Sequence, residues 1–271
     1  MHERISVNSM CFPGAGFGEV GGYWQKLGAR RVSFISPPLL AEGVGPARDA
    51  LGRGHYQVET IAHPFMPGRQ LEPREESWLD ARADLTRLIE AAAELGGRSI
   101  YMLTGGHGSL TWEQAAECFS QAIAPCVARA KEAGIALMIE NALPLYADLH
   151  IAHSLRDTLT LAEMAGIGVC VDLFGCWTEA GLRASIERAI PRCDLVQLSD
   201  YVYGDRALPS RAVPGDGAIP LERILSWVLD AGYAGAFDLE LIGPRIDKEG
   251  HLEAAQRTGD HLGKILNSLG A

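Results

Sequence analysis

Apolar and polar residues follow two alternating patterns along this chain. Short runs rich in aliphatic and β-branched residues, as buried strands require, occur at residues 5–10, 31–36, 56–61, 99–104, 135–139, 169–171, 195–199 and 236–239. Between them lie longer segments with apolar residues three and four apart, the spacing of one helix face. The longest covers residues 75–95, with apolar positions 78, 81, 85, 88, 89, 92 and 95 and a stop at Gly96-Gly97. Thr111 and Gln114 have capping-box spacing for a helix whose buried face passes through Ala115, Cys118, Phe119, Ala122, Cys126 and Ala130, and which Gly134 ends. Shorter helices are predicted at 46–51, 154–163, 220–229 and 252–269, and up to Ile190 behind a cap at Thr178. Eight strands alternate with helices, without a linker or low-complexity stretch. The pattern predicts an α/β fold, a single (β/α)8 TIM barrel over residues 1–271.

Three strands of the second half run straight into a carboxylate: 135–139 into Glu140-Asn141, 169–171 into Asp172, and 236–239 into Glu240. The seventh strand places Gln197 and Ser199 on one face, because side chains two apart share a face. It feeds a polar loop with Arg206, Arg211 and the turn Pro214-Gly215-Asp216-Gly217, while Asp200, on the other face, is expected to anchor that loop. If the strands are parallel neighbours, three acids and Gln197 meet at one barrel mouth. Negative charge gathered there calls for a cation, so a divalent metal is the economical expectation. Separate capping or salt-bridge carboxylates are the alternative; strand-end placement, where barrel enzymes keep their chemistry, favours the metal. The Gln197 amide oxygen is a neutral, hard donor, which points to Mn or Mg first and Co or Zn second, with a hydrogen-bonded barrel glutamine as its other reading.

A resemblance rests on Met138-Ile139-Glu140-Asn141, Val171-Asp172, Val196-Gln197-Leu198-Ser199-Asp200, Arg211-Ala212-Val213-Pro214-Gly215-Asp216-Gly217 and Leu239-Glu240. Over essentially its whole length the chain resembles the xylose isomerase-like TIM barrel family of sugar isomerases, epimerases and related enzymes. The resemblance implies that Glu140, Asp172, Gln197 and Glu240 hold one divalent ion. It also implies that Glu140 and Glu240 double as acid and base, and that Arg211 binds a substrate oxygen. Two positions depart from the pattern: Gln197 and Gly175 each stand where a histidine is common. The implied activity is metal-dependent isomerisation or epimerisation of a sugar or other small polyhydroxylated or keto substrate, by carboxylate-mediated proton transfer. A metal-dependent lyase of the dehydroshikimate or inosose dehydratase type uses the same acids and stays open, as does a non-catalytic binding protein with a degenerate site.

Composition narrows the partners. A net charge of −10 with no Lys/Arg cluster argues against nucleic acid. With 47% apolar residues and mean hydropathy +0.03, no run approaches the ~18 apolar residues of a membrane span. The start Met1-His2-Glu3-Arg4 lacks a signal-peptide pattern, and the six cysteines form no CxxC pair, with Cys118 and Cys126 on an apolar helical stripe and Cys170 on a core strand, which suits a reducing compartment. The expectation is a cytoplasmic protein with a small-molecule substrate. A homo-oligomer, dimer or tetramer, follows only from the resemblance.

Further candidates surround the predicted mouth. His63 and His107 end the third and fourth strands and are candidate substrate contacts, although a lone histidine is more often structural. Arg206 is a candidate substrate contact or a partner of Asp205 or Asp216; Trp177 and Phe17 are candidate apolar walls; Glu179 is a third acid or a first-turn helix residue. His150 and His153 suggest no role. Gly16, Gly18 and Gly21 satisfy GxGxxG between a strand and a helix, but the next strand ends in Pro37-Pro38 without the acid that a dinucleotide ribose needs. A loop at the barrel mouth is the preferred reading.

Overall fold

The computed structural model describes all residues 1–271. Its eight strands are β1 (Ile5–Asn8), β2 (Arg31–Ile35), β3 (Gln57–Pro64), β4 (Ser99–Leu103), β5 (Ala136–Glu140), β6 (Gly168–Asp172), β7 (Cys193–Leu198) and β8 (Ala236–Leu239). They pair in sequence order, every pair parallel, and β8 returns to β1 to close the barrel. The fold is a (β/α)8 barrel, as the alternating pattern predicts. Closure follows from the sequence: each strand alternates side chains between the barrel interior and the helix ring, and both destinations are apolar for most of its length. Ala62, Tyr101, Met138, Cys170, Leu195 and Ala236 fill the interior as one cluster. The alternate positions, such as Ile61, Ile139, Val171, Leu198 and Leu239, join the larger core under the helices.

The helices are α1 (Phe17–Leu27), α2 (Ser36–Glu42), α3 (Gly45–Leu51), α4 (Leu79–Glu94), α5 (Trp112–Ala133), α6 (Leu155–Ala165), α7 (Leu173–Cys176), α8 (Leu182–Ala189), α9 (Leu221–Asp230), α10 (Pro244–Glu249) and α11 (His251–Ser268). The Thr111/Gln114 capping box is formed, with both reciprocal bonds present. Beyond shifts of one to three residues at other element ends, three boundaries differ in kind from the pattern. β1 stops at Asn8, whose side chain caps a 3-10 turn over Ser9–Cys11. The apolar stripe of 75–95 begins with a separate 3-10 turn, Glu75–Ser77, before α4. Thr178 caps nothing; α8 starts behind Gly181, which takes a left-handed conformation open to glycine. The short α2, α7 and α10 were not expected, since a turn or two carries too few residues for a periodic signal. No helix is long and apolar enough to cross a membrane.

Candidate active site

The interior layer explains the mouth above it. Glu140 lies two residues beyond Met138, Asp172 two beyond Cys170, and Gln197 two beyond Leu195, so all three point inward at the C-terminal rim. Glu240 follows Asp238, the inward residue that Asn8 and Ser33 hydrogen-bond inside the barrel, by the same step. The register seats Asp172 beside Gln197, and Gln197 beside Asp238.

Arg211 reaches this rim from the β7–α9 loop. Asp200 fixes that loop: it exchanges backbone hydrogen bonds with Ala212, and its carboxylate accepts from the N–H groups of Tyr201, Gly215, Gly217 and Ile219. Gly217 passes so close to the Asp200 carboxylate that a Cβ would overlap it. The anchor role expected of Asp200 is therefore visible bond by bond.

The guanidinium of Arg211 lies flat between two acids. Its Nη1 and Nη2 donate to Asp172 Oδ1 and Oδ2 at 3.1 and 3.0 Å, Nη1 also donates to Ser199 Oγ at 3.0 Å, and Nη2 stands 2.7 Å from Glu240 Oε1. Phe174 stacks on its face at 4.6 Å. The group is 6% exposed; burial opposes its charge, yet Asp172 and Glu240 outweigh burial and raise its pKa further. Gln197 Nε2 donates to Glu240 Oε2 at 2.7 Å and to Tyr101 Oη at 3.0 Å, and its amide oxygen accepts from the Cys170 thiol at 3.3 Å. Nitrogen and oxygen are assigned by these partners: a carboxylate and a phenol suit the N–H2 side.

Glu140 differs from its neighbours. Its carboxyl makes no hydrogen bond or ion pair within the protein, and burial, reinforced by the charge of Glu240, pushes its pKa far up. Burial likewise raises Glu240 to about 7, against the opposing pull of Arg211.

Glu140, Asp172, Gln197 and Glu240 thus meet at one mouth, as their strand-end placement suggests. Their arrangement does not fit a divalent ion. Arg211 binds both oxygens of Asp172 and one of Glu240, while Gln197 binds the other with its nitrogen and turns its oxygen toward Cys170. Only Glu140 is left free, and no three His, Cys, Asp or Glu side chains gather in a metal-ligating group. The missing histidine at Gly175 has a local cause as well. Asn141 Nδ2 donates to Asp172 O at 2.8 Å and Asn141 Oδ1 accepts from Asp172 N–H at 2.9 Å. A Cβ at position 175 would lie 2.6 Å from that Nδ2, so any side chain there would break the clasp between β5 and β6.

The other candidates divide. His63 lines the cavity that Glu140, Asp172, Arg211 and Glu240 also border; its Nδ1 pairs with Ser36 Oγ at 2.9 Å, its buried Nε2 has no partner, and burial lowers its pKa to about 4. His107 is exposed and bonds Leu110 O through Nδ1, away from the cavity lining. Arg206 is exposed, donating to Tyr201 Oη and Asp205 O. Trp177 packs with Tyr201 and Tyr203, ring centroids 6.3 and 6.1 Å away, outside that lining. Glu179 caps a neighbouring helix: its Oε1 accepts from Leu155 N–H at the start of α6. His150, which suggested no role, is fully buried and joins two strand ends, with Nδ1 accepting from Thr104 N–H at 3.1 Å and Nε2 donating to Glu140 O at 2.8 Å. Tyr101 was legible only through strand alternation, as an inward residue of β4. In the GxGxxG stretch, Gly16 caps α1 and Gly21 packs on Ala50 of α3, which accounts for both without a nucleotide.

The fold and its acid-rimmed mouth define a (β/α)8 barrel with a charged C-terminal site. Residues 36–262 match the model of the xylose isomerase-like TIM barrel family, and the chain belongs to that family. Solved structures agree on the fold. Protein SMc04130 from Sinorhizobium meliloti 1021 superposes with a TM-score of 0.83 at 24% identity, over 98% of each chain. The IOLI protein with a bound zinc atom gives 0.82 at 14% identity, over 98% of this chain and 99% of that one. A D-psicose 3-epimerase with D-tagatose from Clostridium cellulolyticum H10 gives 0.77 at 15%, over 96% and 98%. No curated protein matches the sequence.

Proposed function

We propose that the protein is an isomerase or epimerase that moves a proton at the carbon beside a carbonyl, with Glu140 and Glu240 as the acid–base pair and Arg211 as the fixed cation. One observation carries the reading: two buried carboxyls with raised pKa values face one small cavity beside an immobilised guanidinium. Glu240, near neutrality, is suited to take the proton. The C–H electron pair moves into the carbonyl, and the enolate oxygen that forms is stabilised by the nearby positive charge of Arg211. Glu140, protonated, returns a proton to the opposite face of that carbon, or to the neighbouring carbon while that carbon's hydroxyl passes its proton to the enolate oxygen; Glu240 then gives up its proton and Glu140 regains one through solvent, which restores both groups. Atoms and charge balance without an oxidant or leaving group. Membership of a family that includes sugar isomerases, and similarity to a D-psicose 3-epimerase, support the reaction class.

The guanidinium takes the charge-stabilising task that the resemblance gives to Mn or Mg, so no step runs through a metal. The test is hydrogen exchange in D2O, followed by NMR on a panel of α-hydroxy ketones that includes ketohexoses. Glu140→Gln and Glu240→Gln should each reduce exchange at least 100-fold, and dialysis against EDTA should leave it unchanged. Exchange lost in EDTA and restored by Mn or Mg would return the metal quartet to the reaction. Full exchange in both variants would sink the acid–base assignment.

A further inference from the structure

The cavity at the mouth has a volume of about 410 Å³, and its charge is concentrated at the inner end, in Glu140, Asp172, Arg211 and Glu240. The rest of the wall is apolar, built largely by Met10, Ile35, Leu103, Leu143, Leu149 and Ile242. Outside the charged cluster, His63, Tyr101 and Tyr146 are the lining residues with polar side chains, and His63 Nδ1 and Tyr101 Oη already bond Ser36 and Gln197. Met10, Ile35 and Ile242 also border a second pocket of about 300 Å³ behind the glycine-rich loop, where Phe12, Phe17 and Val20 continue the apolar surface. The stretch read as a mouth loop is instead the turn before α1 and the first turn of that helix, and together they form a hydrophobic wall beside the site.

Such a cavity suits a molecule with one polar end. A ketohexose bears an oxygen on every carbon, and hydroxyls pressed against Leu143, Leu149 and Ile242 would lose water without gaining a partner. An apolar ring against the same wall gains from leaving water. We infer that the substrate is an α-hydroxy ketone or aldehyde on an apolar, ring-bearing carbon body, its reacting end at Arg211 and its body along the Leu143–Leu149 wall. The inference rests on the proton-transfer reading for the polar end and on cavity chemistry for the body.

The probes are 2-hydroxycyclohexanone, 2-hydroxy-1-tetralone and D-fructose. Binding is measured by calorimetry, and exchange of the C–H beside the carbonyl is followed in D2O above the Glu140→Gln background. Both apolar ketones should bind at least tenfold tighter than D-fructose and exchange with at least tenfold higher kcat/KM. Leu143→Asn and Leu149→Asn, both on half-buried loop positions, should each narrow that ratio. Tighter binding or faster exchange of D-fructose overturns the substrate class and leaves the proton-transfer reading standing. Tight binding of the apolar ketones without exchange of any probe upholds the class and overturns the reaction. Absence of binding by all three overturns the class.

Discussion

Replacing Arg211 with methionine tests whether a side chain has taken a metal's place. Met keeps an apolar stem beside Phe174 but removes the charge from between Asp172 and Glu240, which stand 3.0 and 2.7 Å from Nη2. Leaving a buried ion without its partner costs about 3–5 kcal/mol. At roughly 2–4 °C per kcal/mol for a chain of this size, the melting temperature should fall by about 6–20 °C. Arg211→Lys keeps the charge and loses the fork, so its loss should be smaller. The same change frees the oxygens of Asp172 and Glu240 beside Glu140, a set of hard donors. Arg211→Met should therefore gain stability from Mn, by about 2.7 kcal/mol at 100 times the dissociation constant, while the native protein gains none. Thermal and guanidinium unfolding with EDTA, Mg or Mn, together with elemental analysis, measures both effects. One equivalent of metal in the native protein with loss of stability in EDTA, or unfolding of Arg211→Met no earlier than the native protein, would show that Arg211 does not stand in for a metal.

Glu240 should write itself into the pH dependence of stability. Its carboxyl is raised in the fold from 4.5 to about 7, so the fold favours the protonated form. That contribution is full below about pH 4.5, fades as pH rises and is gone above about 7, a span of about 3 kcal/mol. The stability difference between native protein and Glu240→Gln, from guanidinium titrations at pH 4 to 8, should slope across that window; a flat difference removes the shift. In the loop, Gly217→Ala forces a methyl into the Asp200 carboxylate and should lose about 1–3 kcal/mol along with exchange activity. Gly22→Ala, with nothing within 4 Å, should be neutral or stabilising under the same denaturation assay, and equal losses in the two would discard the steric account.

Much of this protein is legible before folding. The period of two in the strands and of three to four in the helices gives the barrel, because both faces of each strand need apolar cover. Strand-end position gives Glu140, Asp172, Gln197 and Glu240 as neighbours. Helix starts were less legible: Thr178 looked like a cap, and the chain used Gly181, since a polar residue near a start does not reveal which N–H it faces. His107, Arg206 and Trp177 sit in loops, and no periodicity says which way a loop side chain points.

The sequence by itself determined the barrel, the gathering of acids at its mouth and the loss of two imidazoles. Those depend on local pattern and on strand parity, which every residue in a run helps to specify. Only the tertiary structure decided what sits among the acids. Arg211 lies 39 residues after Asp172 and 29 before Glu240 in the chain, and it meets both because Asp200 ties the β7–α9 loop back over the rim. Once a guanidinium binds those oxygens, the same carboxylates that would hold an ion are committed to an ion pair. Hydrogen-bond geometry, not residue type, separates the two outcomes.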